Sequence, residues 1–168
     1  MLNTIGFWLR RMGDVKRLGV VGAFLAILQT PAQANDHQCL TEALYFEARN
    51  QGQRGMLAVG IIIQNRVRDP KFPSDVCSVV RQGRYWRGNP VKHLCQFSYW
   101  CDGKHERPME MQPWTMAREM AGLLLDTRIE IKALRGMTHY HTIWVRPSWS
   151  RKYKSRHRIG EHIFYAKN

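Results

Sequence analysis

The chain has 168 residues, with 26 lysines and arginines against 13 aspartates and glutamates, so its formal net charge is +13. This length is sufficient for one domain with a real hydrophobic core and excludes two such domains. The excess of positive charge favours polyanionic partners, but it carries no information about the fold.

The first 34 residues have the three parts of a secretory signal peptide. A basic segment is followed by the apolar run 18–28, which is too short to span a bilayer as a helix. The small residues of Ala32-Gln33-Ala34 then form a cleavage signal, which predicts a mature chain that begins at Asn35. The basic segment holds Arg10, Arg11, Lys16 and Arg17. An uncleaved membrane anchor is the alternative, and the paired arginines are a weak indication of twin-arginine export.

Without this leader the chain keeps 22 basic and 12 acidic residues, a charge of +10. Nucleic acid would be the default partner of such a charge in the cytoplasm. Behind an export signal, the accessible polyanions are the cell wall, with its peptide carboxylates, and the anionic polymers or lipid headgroups of the envelope. We therefore expect a periplasmic, envelope-associated or secreted protein with no nucleic-acid partner and no stable membrane span after signal cleavage.

The stretch 40–55, LTEALYFEARNQGQRG, predicts a helix that runs into a polar, glycine-containing turn. Three apolar residues recur with the i, i+3, i+4 spacing of a core-facing helix. They are Leu40, Ala43 and Leu44. The next position of that stripe is Glu47, and a buried carboxyl raises its pKa, as a general acid near neutral pH requires. The alternative is a half-exposed glutamate at a helix end that pairs with Arg49 or Arg54.

A second helix is predicted over 54–68, with apolar residues on two adjacent faces, as expected of a helix in the centre of the core. Asn65 falls among these positions, and a buried amide must be hydrogen-bonded. We expect Asn65 to support the backbone near the turn that follows Glu47. Pro70 ends this helix, because the residue before a proline is disfavoured in the α region.

Ser74 is the predicted N-cap of a short helix over 75–81. The next stretch, 83–111, has no regular period, and a stretch of this length in a compact domain is usually functional. It mixes aromatic and basic residues, which suit saccharide rings and carboxylates, although about half of the aromatics are expected in the core. Within it, 95–100 alternates loosely and predicts one strand of a small hairpin. The stretch 113–127 predicts a third long helix with a proline in its first turn.

Residues 137–145 are rich in β-branched and aromatic side chains and predict a strand. Because side chains alternate along a strand, His139 and His141 should share one face. The tail segment 157–166 predicts a partner strand. We therefore expect an α+β fold in which packed helices carry Glu47 at a helix end and a small antiparallel sheet forms the other wall of a groove.

All four cysteines follow the leader, and an even number in an exported chain indicates two disulfides with three possible connectivities. Cys95 and Cys101 are close enough in the sequence to close a small loop, which would leave Cys39 to pair with Cys77. The sequence alone does not decide between the connectivities. A zinc site is the alternative, but no C-x-x-C pair is present.

Several blocks of the chain, taken in order, resemble the signature of the SleB/CwlJ-type cell wall hydrolases. The blocks are Glu47-Ala48-Arg49 with Gly55 and 58–67, 72–73 with 76–80, 95–98 with 101–103, 139–141 with 147–149, and 159–165. They extend over about 39–165, nearly the whole predicted mature chain. One departure is Gln51, at a place where members of that family usually carry a second acidic residue.

The resemblance implies a lysozyme-like, lytic-transglycosylase-like domain over 35–168 that cleaves the β-1,4 bond between N-acetylmuramic acid and N-acetylglucosamine in peptidoglycan. It implies Glu47 as the catalytic residue of a monomeric enzyme that needs no metal or other cofactor. Arg49 and Asn65 are expected to support the site. The expected substrate-binding residues are Gln96, Phe97, Ser98, His139, Tyr140, His141 and Tyr165.

Many glycosidases use two carboxyl groups, and the second is hard to find in this chain. Glu42 lies well round the helix from Glu47, and nothing in the spacing requires Asp102 to approach. Lytic transglycosylases, which these hydrolases resemble, need one glutamate, because the 6-hydroxyl of the sugar closes an anhydro ring in place of water. The lack of a clear partner and the presence of Gln51 favour that route.

Two other functions remain open. In a zinc amidase that cuts between glycan and stem peptide, His139 and His141 would be two metal ligands. The third ligand would come from His93, Asp102 or His162. A histidine pair on a strand is more often part of a hydrogen-bonded structure, and no family-specific ligand spacing is present. In a non-catalytic wall-binding module, the basic surface and the aromatic residues would act alone.

Overall fold

The computed structural model describes residues 31–153 and 155–167. Residues 1–30, which make up most of the predicted signal peptide, lie outside the described residues. The first described helix begins at Pro31. The helices are α1 (Pro31–Ala48), α2 (Gly52–Arg68), α3 (Val76–Val80) and α4 (Met111–Asp126). The strands are β1 (Gly83–Trp86), β2 (Asn89–Cys95), β3 (His139–Thr142), β4 (Ser155–Ile159) and β5 (His162–Ala166).

The three long helices pack on one another and form most of the core. The predicted stripe of α1 is fully buried at Leu40, Ala43 and Leu44. Apolar residues of α2 are buried on adjacent faces, as the sequence predicted, because this helix packs against both α1 and α4. Within the described part of the chain, no helix combines the length and the apolar character needed to cross a membrane.

The cap of α3 differs from the prediction. Asp75, not Ser74, is the N-cap, and its carboxylate accepts the backbone N–H of Ser78 at 2.7 Å. Asp75 has extended backbone angles, and a negative side chain is favoured next to the positive end of a helix. The helix therefore begins one residue later than predicted, at Val76.

A β-hairpin occupies much of the stretch 83–111, where the sequence showed no period. β1 and β2 pair antiparallel around Arg87 and Gly88, whose φ angles of 48° and 82° form a two-residue turn with both φ angles positive. The strand predicted over 95–100 is wrong, since Ser98–Cys101 is a short 3-10 helix. A register irregularity between β1 and β2 breaks the alternation from which a strand can be read.

A second, three-stranded antiparallel sheet has the order β3-β5-β4. The tail segment is therefore the partner of the predicted strand, with Tyr140 opposite Phe164. β3 is shorter than the predicted range 137–145. Ile159 and Phe164 are buried and join the sheet to the helical core. The predicted α+β class, with mainly helical packing and a small antiparallel sheet, is confirmed.

Two disulfides cross-link this fold. Cys39 of α1 is bonded to Cys77 of α3, and Cys95 at the end of β2 is bonded to Cys101. This is the pairing that the sequence suggested among the three possible ones. The first bridge connects two helices of the core, and the second closes a small loop at the base of the hairpin.

We predict that replacing Cys39 and Cys77 by serine lowers the free energy of unfolding by about 4 kcal/mol, against about 2 kcal/mol for the same change at Cys95 and Cys101. The first bridge spans a sequence separation of 38 and the second a separation of 6. A longer closed loop removes more entropy from the unfolded chain. Urea unfolding of the two double-serine variants measures the difference, and a larger loss for the short loop would contradict this account.

Candidate active site

Glu47 lies in the last turn of α1, one residue before the helix ends at Ala48. Its side chain is half-buried and continues the stripe whose first three members are fully buried. The carboxyl end of a helix is the negative end of its dipole, so this position disfavours a further negative charge. Burial raises the pKa of the Glu47 carboxyl from 4.5 to about 7. The carboxyl is therefore partly protonated near neutral pH.

Two hydrogen-bond donors face this carboxyl. The Tyr140 hydroxyl donates to Oε2 of Glu47 at 3.1 Å, and the backbone N–H of Ser98 donates to the same group. Both bonds favour the carboxylate, as does the positive charge of Arg66, so all three lower the pKa against the larger effect of burial. The ionised form of Glu47 is thus stabilised by protein groups that are already in place.

Tyr140 reaches Glu47 from β3. Its ring packs against the rings of Phe97, His162 and Phe164, with centroid separations of 5.2 to 6.5 Å. Burial, together with the neighbouring Glu47, raises the pKa of the Tyr140 hydroxyl well above its usual value of 10. The hydroxyl therefore keeps its proton. The sequence singled out Tyr140 as a substrate contact, and in the structure its first partner is the Glu47 carboxyl.

Arg66 is a buried cation on α2 that the sequence analysis did not single out. It is only 4% exposed, and its guanidinium lies over the rings of Phe72 and Phe97 at 5.3 and 5.4 Å. Its Nε donates to the backbone carbonyl of Thr138 at 2.7 Å. Its Nη1 is buried without a hydrogen-bond partner in the described part of the chain. The side chain is thus fixed by stacking and by one hydrogen bond.

A buried arginine is costly unless an opposite charge compensates it. The charge of Arg66 lowers the pKa of Glu47, and Glu47 in turn raises the pKa of Arg66 against the lowering caused by burial. The sequence did contain a signal for this residue. Arg66 follows Val59 by seven positions and Ile63 by three on the apolar stripe of α2, which is the same kind of interruption that pointed to Glu47 on α1.

His139 and His141 share one face of the sheet, as predicted, but it is the face opposite to Tyr140. The His139 ring packs against Trp149 and Tyr153, with centroids 5.5 and 5.1 Å apart. Burial lowers the pKa of His139 to about 4, so its ring is neutral at ordinary pH. The two histidines therefore do not face the Glu47 carboxyl, and their expected role in substrate binding stays a prediction.

His141 and Tyr165 are parts of a hydrogen-bonded cluster on that opposite face. His141 Nδ1 donates to the backbone carbonyl of Thr142 at 2.8 Å, and its Nε2 lies 2.8 Å from the Tyr165 hydroxyl. Only 9% of His141 and 4% of Tyr165 is exposed, and their expected role as substrate contacts stays a prediction. Among residues 31–153 and 155–167, no three histidine, cysteine or acidic side chains form a cluster suited to a metal ion.

Three consecutive residues after β2 were predicted to bind substrate, and they lie in three environments. Phe97 is 1% exposed and belongs to the core, where it stacks on Arg66, so its prediction as a substrate contact is wrong. The side chain of Gln96 is exposed. Ser98 is exposed as well, and its backbone N–H is the donor to Glu47.

A pocket of about 250 Å³ opens next to the end of α1, lined by the neighbours Phe46 and Arg49 of Glu47 but not by Glu47 itself. Its walls come from the end of α1, from Ser98 and from residues of the loop 99–106. Asp102, the carboxylate that the sequence left open as a second acid, lies in this wall. Its Oδ1 accepts the backbone N–H of Lys104 at 2.7 Å, which gives this side chain a turn-forming role.

Arg49 supports the site by joining the end of α1 to α4. Its Nε lies 3.3 Å from Oε2 of Glu110, and its guanidinium lies 5.4 Å from the centroid of the Tyr45 ring. The ion pair of Glu47 with Arg49 that the sequence allowed is therefore not formed, because the partner of Arg49 is Glu110.

Asn65 supports the backbone at a different place from the one expected. Its amide donates to the carbonyls of Leu134 and Met137 at 2.9 and 2.8 Å. These residues lead into β3, so Asn65 fixes the segment that carries Tyr140. The turn after Glu47 is not its partner, and that part of the prediction is corrected.

Gln51 joins the turn after Glu47 to the turn between β4 and β5. Its Nε2 donates to Oε2 of Glu161 at 2.6 Å, and the backbone N–H of Glu161 donates to its Oε1 at 3.0 Å. Only an amide can do both, because a carboxylate has no donor. Gly160 has a φ of +56°, and a Cβ there would lie 2.6 Å from Gln51 Oε1, so the contact also requires glycine. The departure at Gln51 therefore has a structural partner in Glu161.

A half-buried carboxyl with a raised pKa and two donors to its ionised form are the features of a candidate general acid–base site, here carried on an α+β domain. A family model described as Cell Wall Hydrolase matches residues 50–165, which is more than half of the chain. The chain therefore belongs to the cell wall hydrolase family. Glu47 lies three residues before the matched segment.

Curated relatives agree with this membership. The spore cortex-lytic enzyme of Halalkalibacterium halodurans is 30% identical over 138 residues, covering 77% of this chain and 34% of that protein. The spore cortex-lytic enzyme of Bacillus subtilis is 39% identical over 46 residues, covering 27% of this chain and 15% of that protein. The chain thus spans about a third or less of the length of these relatives.

Two solved structures share the fold. The catalytic domain of the germination-specific lytic transglycosylase SleB from Bacillus anthracis matches with a TM-score of 0.60 at 23% identity, over 82% of this chain and 99% of that one. The catalytic domain of the Bacillus cereus SleB protein matches with a TM-score of 0.54 at 20% identity, over 86% and 99%. At these identities the two structures establish the fold alone.

We predict that Gln51→Glu lowers the free energy of unfolding by about 1 kcal/mol at neutral pH and low salt. The new carboxylate would face the Glu161 carboxylate and could not donate to it. Urea unfolding measures the change.

The matched control for this prediction is the exchange of the pair. Adding Glu161→Gln to Gln51→Glu restores one donor and one acceptor, so most of the lost stability should return, and a double-mutant cycle gives the coupling between the two positions. A loss of the same size whether residue 161 is Glu or Gln would show that the pair does not interact.

Proposed function

We propose that this protein cleaves the β-1,4 glycosidic bond between N-acetylmuramic acid and N-acetylglucosamine in peptidoglycan as a lytic transglycosylase. The observation that carries the proposal is Glu47, a half-buried carboxyl with a pKa of about 7 that receives hydrogen bonds from Tyr140 and Ser98. Two relatives named as spore cortex-lytic enzymes support a lytic activity on a wall polymer, and a catalytic domain named as a lytic transglycosylase shares the fold.

In the first step, protonated Glu47 gives its proton to the glycosidic oxygen while the bond between that oxygen and C1 of the muramic acid breaks. Positive charge develops on the muramic acid ring, and Glu47 becomes a carboxylate. The Tyr140 hydroxyl and the Ser98 N–H stabilise this carboxylate as it forms, without rearranging. A pKa of about 7 keeps the acid form populated near neutral pH.

In the second step, the Glu47 carboxylate takes the proton of the muramic acid 6-hydroxyl, and the oxygen of that hydroxyl bonds to C1. The products are a 1,6-anhydromuramic acid end and a free 4-hydroxyl on the N-acetylglucosamine. Glu47 is protonated again and no water is consumed. A second carboxyl to activate water is therefore not required, which suits a site in which Gln51 is engaged with Glu161.

Arg66 acts through Glu47 and not on the substrate, since it is almost completely buried. Burial alone would make Glu47 hold its proton too tightly to release it in the first step. The cation opposes that effect by favouring the carboxylate. Arg66 is thus a positioning residue that brings the pKa of Glu47 towards the range in which one group can serve as acid and then as base.

The proposed activity requires access to the cell wall. We infer that residues 1–34 direct export and that the chain acts as a monomer on glycan strands in the periplasm or cell envelope. The charge of +10 on the remaining residues suits a wall that carries peptide carboxylates. Fractionation followed by amino-terminal sequencing should find the chain outside the cytoplasm and starting at Asn35; a cytoplasmic chain with an intact leader would contradict this.

We predict that Glu47→Gln lowers the rate of turbidity loss of purified sacculi by about a thousandfold or more, because the proton donor is lost. Binding to sacculi should be unchanged. Mass spectrometry of the released muropeptides should find anhydromuramic acid ends with the natural chain and none with the variant. Reducing muramic acid ends would contradict the transglycosylase reaction.

Two controls accompany this variant. Asp102→Asn should keep activity within about threefold, and a loss as large as that of Glu47→Gln would instead indicate hydrolysis with two carboxyl groups.

The second control concerns stability. The Glu47 carboxyl ionises near 4.5 in the unfolded chain and near 7 in the folded chain, so the natural chain loses stability as pH rises between these values. Glu47→Gln lacks this loss, and its melting temperature at pH 8 should equal or exceed that of the natural chain.

We predict that Arg66→Met raises the pKa of Glu47 further, because burial then acts without the opposing cation. The alkaline limb of the pH–rate profile, along which Glu47 loses its proton, should move to higher pH. The maximal rate should fall about tenfold, because the forming carboxylate loses a stabilising charge. Carbon-13 NMR titration of the Glu47 carboxyl measures the pKa directly.

Arg66→Lys provides the matched comparison, since it keeps the charge but loses the stacking on two rings. Its alkaline limb should lie close to that of the natural chain. If both variants lose activity while the pKa of Glu47 stays unchanged, Arg66 has only a packing role.

A further inference from the structure

The hairpin formed by β1 and β2, residues 83–95, takes no part in the proposed chemistry, and we call it the arm. It is a separate two-stranded sheet that does not join the sheet of β3, β5 and β4. All of β1 and most of β2 are exposed or only partly buried. An isolated two-stranded hairpin is marginally stable in water, so contacts at its base must hold it.

Those contacts connect the arm to the loop that carries Ser98. The disulfide of Cys95 with Cys101 closes the base of the arm. The hydroxyl of Tyr85 donates to the carbonyl of Arg81 at 2.7 Å and accepts the indole N–H of Trp100 at 3.0 Å. The arm is therefore held at its base by the disulfide and nearer its tip by Tyr85, while Trp86, Arg87 and Gly88 at the tip are exposed.

The arm exposes large apolar side chains. Trp86 is 70% exposed, Leu94 48% and Tyr85 43%. Together with neighbouring residues of both strands they line a groove of about 550 Å³. An exposed apolar patch with a polar rim marks an interaction site more often than a chance arrangement.

The rim of this patch is positive. Between Val76 and Cys101 the chain has four basic residues and no aspartate or glutamate. They are Arg81, Arg84, Arg87 and Lys92. The partner that complements this surface carries flat apolar faces, which suit a tryptophan, and carboxylates, which suit arginine. A saccharide with attached acidic peptides has both.

The position of the arm favours a glycan strand over other polyanions as its partner. β2 runs directly into the segment whose Ser98 N–H donates to Glu47, so the arm continues one wall of the active site. Both ends of β2 pair with the four-residue β1, Cys95 with Gly83 and Asn89 with Trp86, so the arm extends about 10 Å from its base to its tip. A glycan strand that is held at Glu47 and also contacts the tip must continue over further sugars beyond the cleaved bond.

We propose that the arm binds the same glycan strand that Glu47 cleaves, at a distance from the cleaved bond. Sugar rings stack on Trp86, and stem-peptide carboxylates pair with Arg84 and Arg87. The arm thereby selects polymeric, peptide-bearing glycan over short soluble fragments. This inference rests on the proposed function for the identity of the strand.

The first experiment measures binding without cleavage. Trp86→Ala with Arg84→Ala, made in the Glu47→Gln background, should bind purified sacculi about tenfold more weakly than Glu47→Gln alone. The matched control, Leu123→Ala with Arg118→Ala on α4, also removes one exposed apolar side chain and one exposed arginine. Its binding should be unchanged. Equal binding by the two double variants would overturn the proposal.

The second experiment measures turnover with Glu47 intact. The arm variant should raise KM for sacculi about tenfold at an unchanged kcat. Its turnover of a soluble glycan tetrasaccharide, which has no stem peptides and only two sugars on either side of the cleaved bond, should match that of the natural chain. If tetrasaccharide turnover falls as well, the arm is part of the pocket and the proposal is wrong.

A third measurement separates wall from membrane. Phosphatidylglycerol vesicles should bind the arm variant and its control equally; a loss confined to vesicles, with sacculus binding intact, would assign the arm to anionic lipid and overturn the proposal. Failure of the proposed function is seen separately, as activity that survives Glu47→Gln, and it leaves the binding comparison readable.

Discussion

The Glu47 carboxyl is subject to two opposing influences, and the rest of the molecule sets their balance. Removal from water and a place at the negative end of α1 favour the protonated acid. The Tyr140 hydroxyl, the Ser98 N–H and the Arg66 cation favour the carboxylate. A group governed by burial alone would never release its proton, and a fully solvated one would never hold it at neutral pH. Because these groups offset burial only in part, the pKa of Glu47 lies near 7, where both the acid and the carboxylate are populated at neutral pH.

Four separate parts of the chain must meet at that carboxyl, and most of the specific contacts of the fold serve this meeting. α1 supplies Glu47, α2 supplies Arg66, β3 brings the tyrosine, and the loop after β2 brings a backbone amide. Asn65 fixes the approach to β3 through two carbonyls, and Gln51 fastens the turn after Glu47 to the far hairpin of the sheet. The Gln51 amide therefore connects two turns of the fold, at a position where family members are expected to carry an acidic residue.

The parts of this structure that follow from local pattern could be predicted, and those that depend on distant contacts could not. The long helices could be predicted from the apolar stripe that each one carries. Glu47 could be singled out because it is a charged residue that interrupts such a stripe within one segment. Arg66 carried the same signal and was overlooked. The pair His139 and His141 was placed on one face, but only the packed sheet decides which face looks towards α1. Ser98 contributes a backbone N–H, which its side chain does not reveal, and the hairpin was hidden by a turn with two positive φ angles and an irregular register.

The short covalent loop between Cys95 and Cys101 encloses Ser98, whose amide helps to stabilise the charged form of Glu47. In a cytosol rich in glutathione these two thiols stay reduced, and the amide loses its nearest covalent constraint. The position of the Ser98 amide, and with it one hydrogen bond to the Glu47 carboxylate, therefore depends on whether these two cysteines are oxidised.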